Sequence, residues 1–181
     1  MGKSAKQELF SSERLEYRII EIKDAEVLHK FRNEESYRRW MGFLGPPPTL
    51  DDIIKSINSD IDRFRNEVNI IKGVGRGIYL KKTSELIGNI GIGKFHGPDE
   101  ELEYVEVGFD IGEAYQNKGY ATEATKAIVA WGFTQLRKQG LEPIIQSRVE
   151  HGNTASRRVL EKAGFTFIRD EKYVSMFEIR N

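Results

Sequence analysis

A strand, a short glycine-containing turn, a long helix and a second strand follow one another in the second half of this chain, and they constrain its fold more than any other stretch. Residues 102–111 alternate apolar and polar side chains, residues 120–136 carry apolar side chains at helical spacing, and residues 143–149 begin with an apolar run. Two strands of one sheet that are joined by a helix lie parallel, with a right-handed crossover. The sequence therefore predicts a sheet that contains at least one parallel pair.

The elements before this unit are predicted to be a strand and two helices. Residues 14–22 alternate apolar and charged side chains, which is typical of a half-buried strand. Asp24 is the expected N-cap of a helix that runs to about residue 41. Thr49 is the expected cap of a second helix, in which Ile53 and Ile57 recur at helical spacing.

The remaining elements are strands and one short helix. From residue 77 the period changes to two, which predicts a hairpin that turns at residues 83–85. The glycines of residues 73–77 precede this strand rather than follow one, so they do not fit a dinucleotide fingerprint and indicate a mobile loop. A helix capped by Asn153 and ended by Gly164 leads into two closing strands.

This order of elements predicts an α+β fold with a mixed, mostly antiparallel sheet. The length of 181 residues suits one domain over residues 1–181, in which residues 1–12 are expected to be a flexible N-terminal segment. Such a chain can bury roughly two-thirds of its unfolded surface, which is sufficient for a core.

Composition excludes several classes of function. Lys+Arg and Asp+Glu both total 28, so bulk charge does not favour a nucleic-acid or membrane partner. The chain has no cysteine, and its three histidines are scattered, so neither a thiolate nucleophile nor a metal site is expected. No apolar stretch approaches membrane-spanning length and the first residues lack the apolar run of a signal peptide, which predicts a cytoplasmic protein.

The turn sequence "YQNKGYATEA" (residues 115–124) is suited to hold an anion. The first amides of a helix have no partner within the helix, and the helix dipole is positive at that end. Gly119 permits a close backbone approach or a positive φ, and Ala121 leaves room for a phosphate group. Read alone, the same pattern also fits a strand–helix turn that merely needs a glycine.

Three spaced motifs resemble the GNAT acetyltransferase superfamily. Gln116-x-x-Gly119-x-Ala121 is similar to its acyl-CoA signature, Q/R-x-x-G-x-G/A. "VEVGFDI" resembles the bulged fourth strand of that family, and "NTASRRVLEKAGF" resembles its second motif, an Asn-led helix that ends in Gly-Phe. The combination is most similar to the RimJ/RimL-type branch, in element order over about residues 14–170.

The resemblance implies a cofactor site for acetyl-CoA between two splayed central strands. The pantetheine arm is expected along the backbone of Phe109, Asp110 and Ile111, with a further contact from Asn153. The pyrophosphate is expected at the turn and the helix start. The cofactor residues implied there are Gln116, Asn117, Lys118, Gly119, Tyr120, Ala121 and Thr122.

Glu106 and Ser156 are the candidate catalytic residues. The alternation along the strand places Glu106 on its less apolar face. The resemblance implies that Glu106 is the general base and acts through a water molecule. Alternatively, Glu106 is a solvated strand residue or the partner of a lysine. Leu160 stands where many family members carry a tyrosine acid, so the resemblance offers the Ser156 hydroxyl near the CoA sulfur instead. Ordinary helix capping is the alternative for Ser156.

The sequence therefore predicts an acetyl-CoA-dependent N-acetyltransferase that acts on a primary amine by direct attack. The RimJ/RimL resemblance suggests a protein N-terminal amine; a small amine such as a polyamine, an amino acid or an aminoglycoside is the alternative, and so is a non-catalytic acyl-CoA-binding module. Trp131 and Phe133 are expected in the core. Residues Trp40, Met41, Phe43 and Leu44 either line the acceptor pocket or simply pack there. A monomer and a homodimer are both compatible with the sequence.

Overall fold

Seven strands form one mixed sheet in the computed structural model, which describes residues 10–41, 45–66, 68–94 and 104–181. The strands are β1 Leu15–Arg18, β2 Val74–Leu80, β3 Leu86–Gly93, β4 Val105–Ile111, β5 Ile144–Glu150, β6 Thr166–Asp170 and β7 Val174–Arg180. Their order across the sheet is β1-β2-β3-β4-β5-β7-β6. Only β4 and β5 pair in parallel; the other neighbours are antiparallel. The predicted α+β class and the parallel pair are confirmed.

Five α-helices flank this sheet. They are α1 Ala25–Asn33, α2 Glu35–Met41, α3 Leu50–Asn66, α4 Tyr120–Lys138 and α5 Thr154–Ala163, and short 3-10 turns occupy Ile22–Asp24 and Glu113–Tyr115. Helix α4 packs Ile128, Trp131 and Phe133 into the larger apolar cluster on one face of the sheet. Helices α1 and α3 form a second cluster on the other face with Tyr79 and Leu86. The predicted core positions of Trp131 and Phe133 are confirmed.

The helix predicted from Asp24 to residue 41 is wrong in one respect, because it breaks at Glu34. Glu34 has extended backbone, with φ −65° and ψ 148°, and separates α1 from α2. The side chain of Asn33 donates to the carbonyl of His29 at 2.8 Å, which ends α1 locally. The break lets the Glu34 carboxylate accept a hydrogen bond from the backbone amide of Glu113 at 2.8 Å. A sequence pattern cannot show a contact across 79 residues.

The expected mobile loop at residues 73–77 is also wrong, because β2 begins at Val74. A Cβ atom at Gly77 would lie 2.7 Å from the Tyr79 ring and 2.8 Å from Ile20. Close packing therefore explains this glycine, whereas only Gly73 has a positive φ of 92°. Glycines within a strand are a sign of close backbone approach as well as of a loop.

The predicted N-caps of α3 and α5 and the predicted end of α5 are confirmed. Thr49 Oγ1 accepts from the Asp52 amide at 3.2 Å while Asp52 accepts from the Thr49 amide at 3.0 Å, which caps α3. Asn153 caps α5 by accepting from the Ser156 amide at 3.1 Å, and Gly164 ends α5 with φ 101°. Asp24 occupies the N-cap position of α1, although its carboxylate accepts instead from the Glu21 amide and the Tyr79 hydroxyl.

Residues 10–12 belong to the expected N-terminal segment and are described. Phe10 is buried against Tyr17 and Trp131, with ring centroids 4.5 and 5.8 Å apart. Phe43 and Leu44, two of the expected acceptor-pocket residues, lie outside the described residues. Among the helices that the structure describes, none has the length and apolar character needed to cross a membrane.

Two glycines on neighbouring strands provide a test of this packing. Gly88→Ala places a Cβ atom 2.2 Å from the backbone oxygen of Asp110, whereas Gly108→Ala meets no described atom within 4 Å. We expect Gly88→Ala to lower the free energy of unfolding by about 1–3 kcal/mol. Gly108→Ala is the matched control, with a change within about 0.5 kcal/mol. Urea denaturation of both variants measures this, and equal effects would contradict the described β3–β4 packing.

Candidate active site

The parallel strands β4 and β5 separate almost as soon as they meet. Their pairing consists of Val105 with Ile145 and Glu106 with Gln146. Beyond this point β4 stays paired with β3 and β5 with β7, so the two strands diverge toward their carboxyl ends. The buried Ser147 hydroxyl donates to the Val107 carbonyl at 2.9 Å, which satisfies the backbone oxygen just past the last pair. A wedge-shaped opening results, and the expected splay of the central strands is confirmed.

Strand β4 keeps a regular alternation of faces along this opening. Its register with β3 runs without a shift from Glu106 to Ile111, so the bulge expected near Gly108 is absent from the described β3–β4 ladder. Glu106, Gly108 and Asp110 therefore share one face. Val105 and Val107, on the other face, pack into the cluster beneath α4.

The turn after β4 lies at the wide end of the opening. Asn117 and Gly119 have positive φ values of 61° and 80°. Gly119 is the N-cap of α4 and supplies no side-chain hydrogen bond, so the first amides of this 19-residue helix lack a side-chain acceptor. With the positive end of the helix dipole, these amides form a site that can hold a diphosphate.

Polar side chains hold the backbone of this turn. Gln116 Nε2 donates to the Ile111 carbonyl at 2.9 Å and to Ser36 Oγ at 3.2 Å, and Lys118 Nζ donates to the Ala114 carbonyl at 2.8 Å. The Gln116 side chain therefore reaches across the turn. These contacts leave the ligand-facing role to backbone groups.

Arg14 is a residue of this site that sequence reasoning missed. Its Nε and backbone amide both donate to the Glu123 carboxylate at 2.7 Å, and NH1 donates to the Lys118 carbonyl at 3.0 Å. The guanidinium lies 4.6 Å from the centre of the Tyr120 ring. It therefore places a positive charge beside the turn. No local pattern reveals it, because Arg14 and Glu123 are 109 residues apart.

Glu106 lies at the narrow end of the opening in an ion pair. It is 7% exposed, and Arg148 Nε donates to its Oε1 at 2.7 Å. Neighbouring Gln146 donates to Glu178 Oε2 at 2.7 Å, while its own buried Oε1 has no hydrogen-bond partner among the described residues. The partner of Glu106 is thus an arginine of β5, not the lysine considered from the sequence. Sequence reasoning missed Gln146 and Arg148, although alternation along the predicted strand already puts them on one face.

Ser156 and Asn153 lie at the start of α5, the helix that follows β5. Ser156 is half-buried and its backbone amide is capped by Asn153. Leu160 is fully buried in the core. Its hydrocarbon side chain has no proton to donate, so this position cannot supply the acid. Because α5 follows β5, these residues lie on the β5 side of the opening, opposite β4, which carries Glu106.

Helix α2 lies beside the wide end of the opening. Glu113 Oε1 accepts from the Ser36 amide at 2.9 Å, and this hydrogen bond lowers the pKa of Glu113. At the other end of α2, a Cβ atom at Gly152 would lie 3.9 Å from the Trp40 indole. The helix therefore spans the distance from the turn after β4 to the loop after β5. A cavity of about 240 Å³ there is lined by Glu35, Ser36, Arg39, Trp40 and Glu113.

The part of the chain that the structure describes contains no group of three or more His, Asp or Glu side chains arranged to hold a metal ion.

Comparison with known proteins gives consistent matches. Residues 14–166 match the family described as acetyltransferase (GNAT) domain. The N-acetyltransferase p20 of Bacillus licheniformis, itself uncharacterised, is 30% identical over 164 residues, covering 87% of this chain and 82% of that protein.

Two solved structures share the fold. RimL, a ribosomal L7/L12 α-N-protein acetyltransferase in complex with coenzyme A, has a TM-score of 0.71 at 15% identity over 93% of this chain and 95% of its own. The ribosomal-protein-S5-alanine acetyltransferase of Vibrio fischeri has a TM-score of 0.70 at 18% identity over 95% of this chain and 96% of its own.

The ion pair between buried Glu106 and half-buried Arg148 provides a test of the site's construction. Arg148→Met leaves the Glu106 carboxylate buried without its guanidinium, and we expect the free energy of unfolding to fall by about 1–3 kcal/mol. Adding Glu106→Gln should recover part of that loss, which a double-mutant cycle measures. Arg157→Met is the matched control, because its pair with Glu161 is exposed and is expected to contribute less than about 0.5 kcal/mol. Equal losses in both arginine variants would contradict a buried pair.

Proposed function

This chain belongs to the GNAT family of acetyl-CoA-dependent N-acetyltransferases, and we propose that it acetylates a protein N-terminal amine by direct attack on the thioester. The observation that carries the proposal is the opening between β4 and β5, which leads directly to the uncapped start of α4. One end of this opening has donors for a diphosphate, and the other has a buried carboxylate. Family membership also decides between an enzyme and a non-catalytic acyl-CoA-binding module in favour of the enzyme.

In this proposal the cofactor enters with its pyrophosphate at the turn. The amides of residues 117–122 hold the diphosphate, while Gln116 and Lys118 keep the turn in place. The pantetheine arm follows the free edge of β4 and pairs with the backbone of Phe109, Asp110 and Ile111 in place of a strand. Asn153 and Ser156 contact the arm from the opposite side of the opening. Arg14 adds favourable charge next to Gly119.

Chemistry then takes place near the narrow end, where β4 and β5 part. The acceptor must lose a proton before its nitrogen attacks the thioester carbonyl carbon. Glu106 takes that proton through a water molecule, with Arg148 fixing the orientation of its carboxylate. The C–S bond breaks, and the CoA sulfur receives a proton, for which the Ser156 hydroxyl is the proposed donor. No covalent enzyme intermediate is needed when both substrates are bound together.

An N-terminal α-amine suits this arrangement better than a lysine side chain. Its pKa is close to 8, against about 10.4 for lysine, so a carboxylate that acts through water removes its proton more easily. Both structural neighbours are ribosomal-protein acetyltransferases, which supports the same acceptor class. The cavity beside α2 is open at the surface and has room for a residue of the peptide beyond the first.

The cofactor site is tested by thermal shift. Acetyl-CoA should raise the melting temperature, because a ligand that binds the native state stabilises it by mass action. Gly119→Glu should abolish this shift, since φ 80° strains any side chain and the carboxylate repels the diphosphate. Gly140→Glu is the matched control: it has φ 69° and lies just beyond the opposite end of α4, so the shift should persist. A full shift in Gly119→Glu would remove the turn from the cofactor site.

The reaction is tested by release of free CoA thiol with N-terminal peptides, polyamines and aminoglycosides as acceptors. Glu106→Gln preserves shape but cannot accept a proton. We expect the rate with the best acceptor to fall by roughly 10²–10⁴ and the loss to shrink as pH rises, because more amine is then already neutral. Affinity for acetyl-CoA should stay within about threefold, since its contacts are distant backbone groups.

Two outcomes would contradict these roles. Nearly full activity of Glu106→Gln at neutral pH would remove Glu106 as the base, and loss of acetyl-CoA binding would make its carboxylate structural. If no N-terminal peptide releases thiol but another amine does, that amine and not a protein N-terminus is the acceptor.

A further inference from the structure

Three glycines form a row across the sheet beside the opening. Gly75 of β2 lies opposite Gly91 of β3, and Gly91 lies opposite Gly108 of β4. Residues directly opposite in an antiparallel ladder point to the same face. Gly108 is exposed and Gly75 and Gly91 are half-exposed, and no described atom lies within 4 Å of a Cβ atom at Gly108. The row is therefore a shallow trough with a floor of backbone.

The trough lies on the sheet face that α1 and α3 cover in part. Alternation along β2 puts Gly75 on the same side as Tyr79, which packs against both helices. A Cβ atom at Gly112 would lie 2.5 Å from the Phe31 ring, so α1 also rests on the end of β4 from this side. The trough and α4 are on opposite faces, and the floor at Gly108 borders the edge from which β5 departs.

Two carboxylates flank the floor at Gly108. Glu106 precedes it by two residues and Asp110 follows it by two, all on the same face of β4. The strand rise places each of these Cα atoms about 7 Å from that of Gly108. Arg148 pairs with Glu106, and Asn89 lies opposite Asp110 in the β3–β4 ladder. The mechanism proposed above uses the side chain of Glu106 and only the backbone of Asp110.

Charged and titratable groups from several elements surround Asp110. Arg32 of α1, Glu34 of the break after it and Asn89 of β3 all act on its carboxyl, and the carboxyl acts in turn on Tyr37 of α2. Asp110 is half-buried, and this desolvation raises its pKa to about 7 against the lowering influence of Arg32 and Asn89.

Arg32 does not neutralise this carboxyl completely. Its charge also acts on Asp60 of α3. Burial raises the pKa of Asp60, although Arg32 and Arg63 both lower it. The buried Nε of Arg32 has no hydrogen-bond partner among the described residues. A further cation placed against Asp110 would therefore stabilise the ionised carboxylate.

We propose that Asp110 is a specificity-determining residue and that the acceptor is a primary amine carrying a second cationic group about 7 Å from the reacting nitrogen. The inference rests on the proposed function, since it places the reacting amine above Gly108, within water-mediated reach of Glu106. The second ammonium or guanidinium then lies against Asp110. A peptide whose first residue has a basic side chain meets this description, and so does a diamine.

The spacing explains why both carboxylates are needed and why they differ. Glu106 acts on the nitrogen that loses its proton, whereas Asp110 holds a nitrogen that keeps its charge throughout the reaction. Because the second group is bound equally before and during the attack, its loss raises KM far more than it lowers kcat.

The preference for an acceptor with a second cation should increase with pH. The second ammonium stays charged up to about pH 9, since an alkylamine has a pKa near that of lysine, about 10.4. Asp110 is ionised above pH 7 and neutral below it. The preference is therefore full above pH 8 and is lost as pH falls through 7.

The experiment compares diaminobutane with butylamine, which has the same carbon chain and one amine. In the wild-type protein we expect kcat/KM for the diamine to exceed that for the monoamine at least about 10-fold at pH 8, the size of one hydrogen bond to a charged group. Asp110→Asn should reduce this ratio to about two, the value expected from the two equivalent amines of the diamine, and the change should appear in KM for the diamine. Asp62→Asn is the matched control, because it removes an exposed carboxyl of α3 that is not among the groups acting on Asp110, and it should keep the ratio.

The outcomes are separable from those of the proposed function. If butylamine and diaminobutane release no thiol, the same ratio is measured with two peptides whose first residue is lysine or norleucine. An unchanged ratio in Asp110→Asn, or a ratio that does not vary between pH 6 and 8, would overturn the role of Asp110. An equal loss for both acceptors would make it a structural residue and would overturn the role as well. Failure of every amine with the wild-type protein would refute the proposed function itself.

Discussion

The early loss of pairing between β4 and β5 is the constraint on which the rest of this site depends. A sheet covered on both faces normally leaves no backbone group inside it unpaired, because each buried amide or carbonyl without a partner costs free energy. Here the strands share two residue pairs and then part, and Ser147 satisfies the Val107 carbonyl with its hydroxyl. Beyond that point the free strand edges can pair with a ligand. The opening persists because each strand is held from outside, β4 by β3 and β5 by β7.

The two faces of β4 carry residues with different roles. Val105 and Val107 anchor the strand in the core beneath α4. The opposite face carries Glu106 and Asp110, which experience different surroundings: one is paired with an arginine, and the other is enclosed near an arginine that serves two carboxyls. Gly108 between them leaves the space in which a substrate can lie. A strand with period two thus separates structural from chemical residues without any insertion.

Sequence patterns predicted most of the fold and the local part of the site. Period two and period 3.6 identified the strands and helices, and the caps at Thr49, Asn153 and Gly164 follow from side chains close in sequence. The break at Glu34, the strand that begins at Val74 and the contact of Arg14 with Glu123 could not be predicted, because each depends on a partner far along the chain. Ser147 and Arg148 lay on a predicted strand, but their roles appear only when β5 is placed beside β4. Local sequence patterns carry no information about which distant residues will pair.

Hydrogen bonds between the α1–α2 junction and the turn after β4 join the turn proposed to hold the cofactor to the helix that borders the proposed acceptor cavity. The amide of Glu113 donates to Glu34, the amide of Ser36 donates to Glu113, and Gln116 reaches Ser36. Displacing the turn therefore displaces α2, and with it one wall of the cavity beside Trp40. The free energy of filling one region then depends on whether the other is filled, and thermodynamic linkage requires this dependence to be equal in both directions. With the sites proposed above, this seven-residue helix would couple the affinity for the cofactor to the affinity for the acceptor.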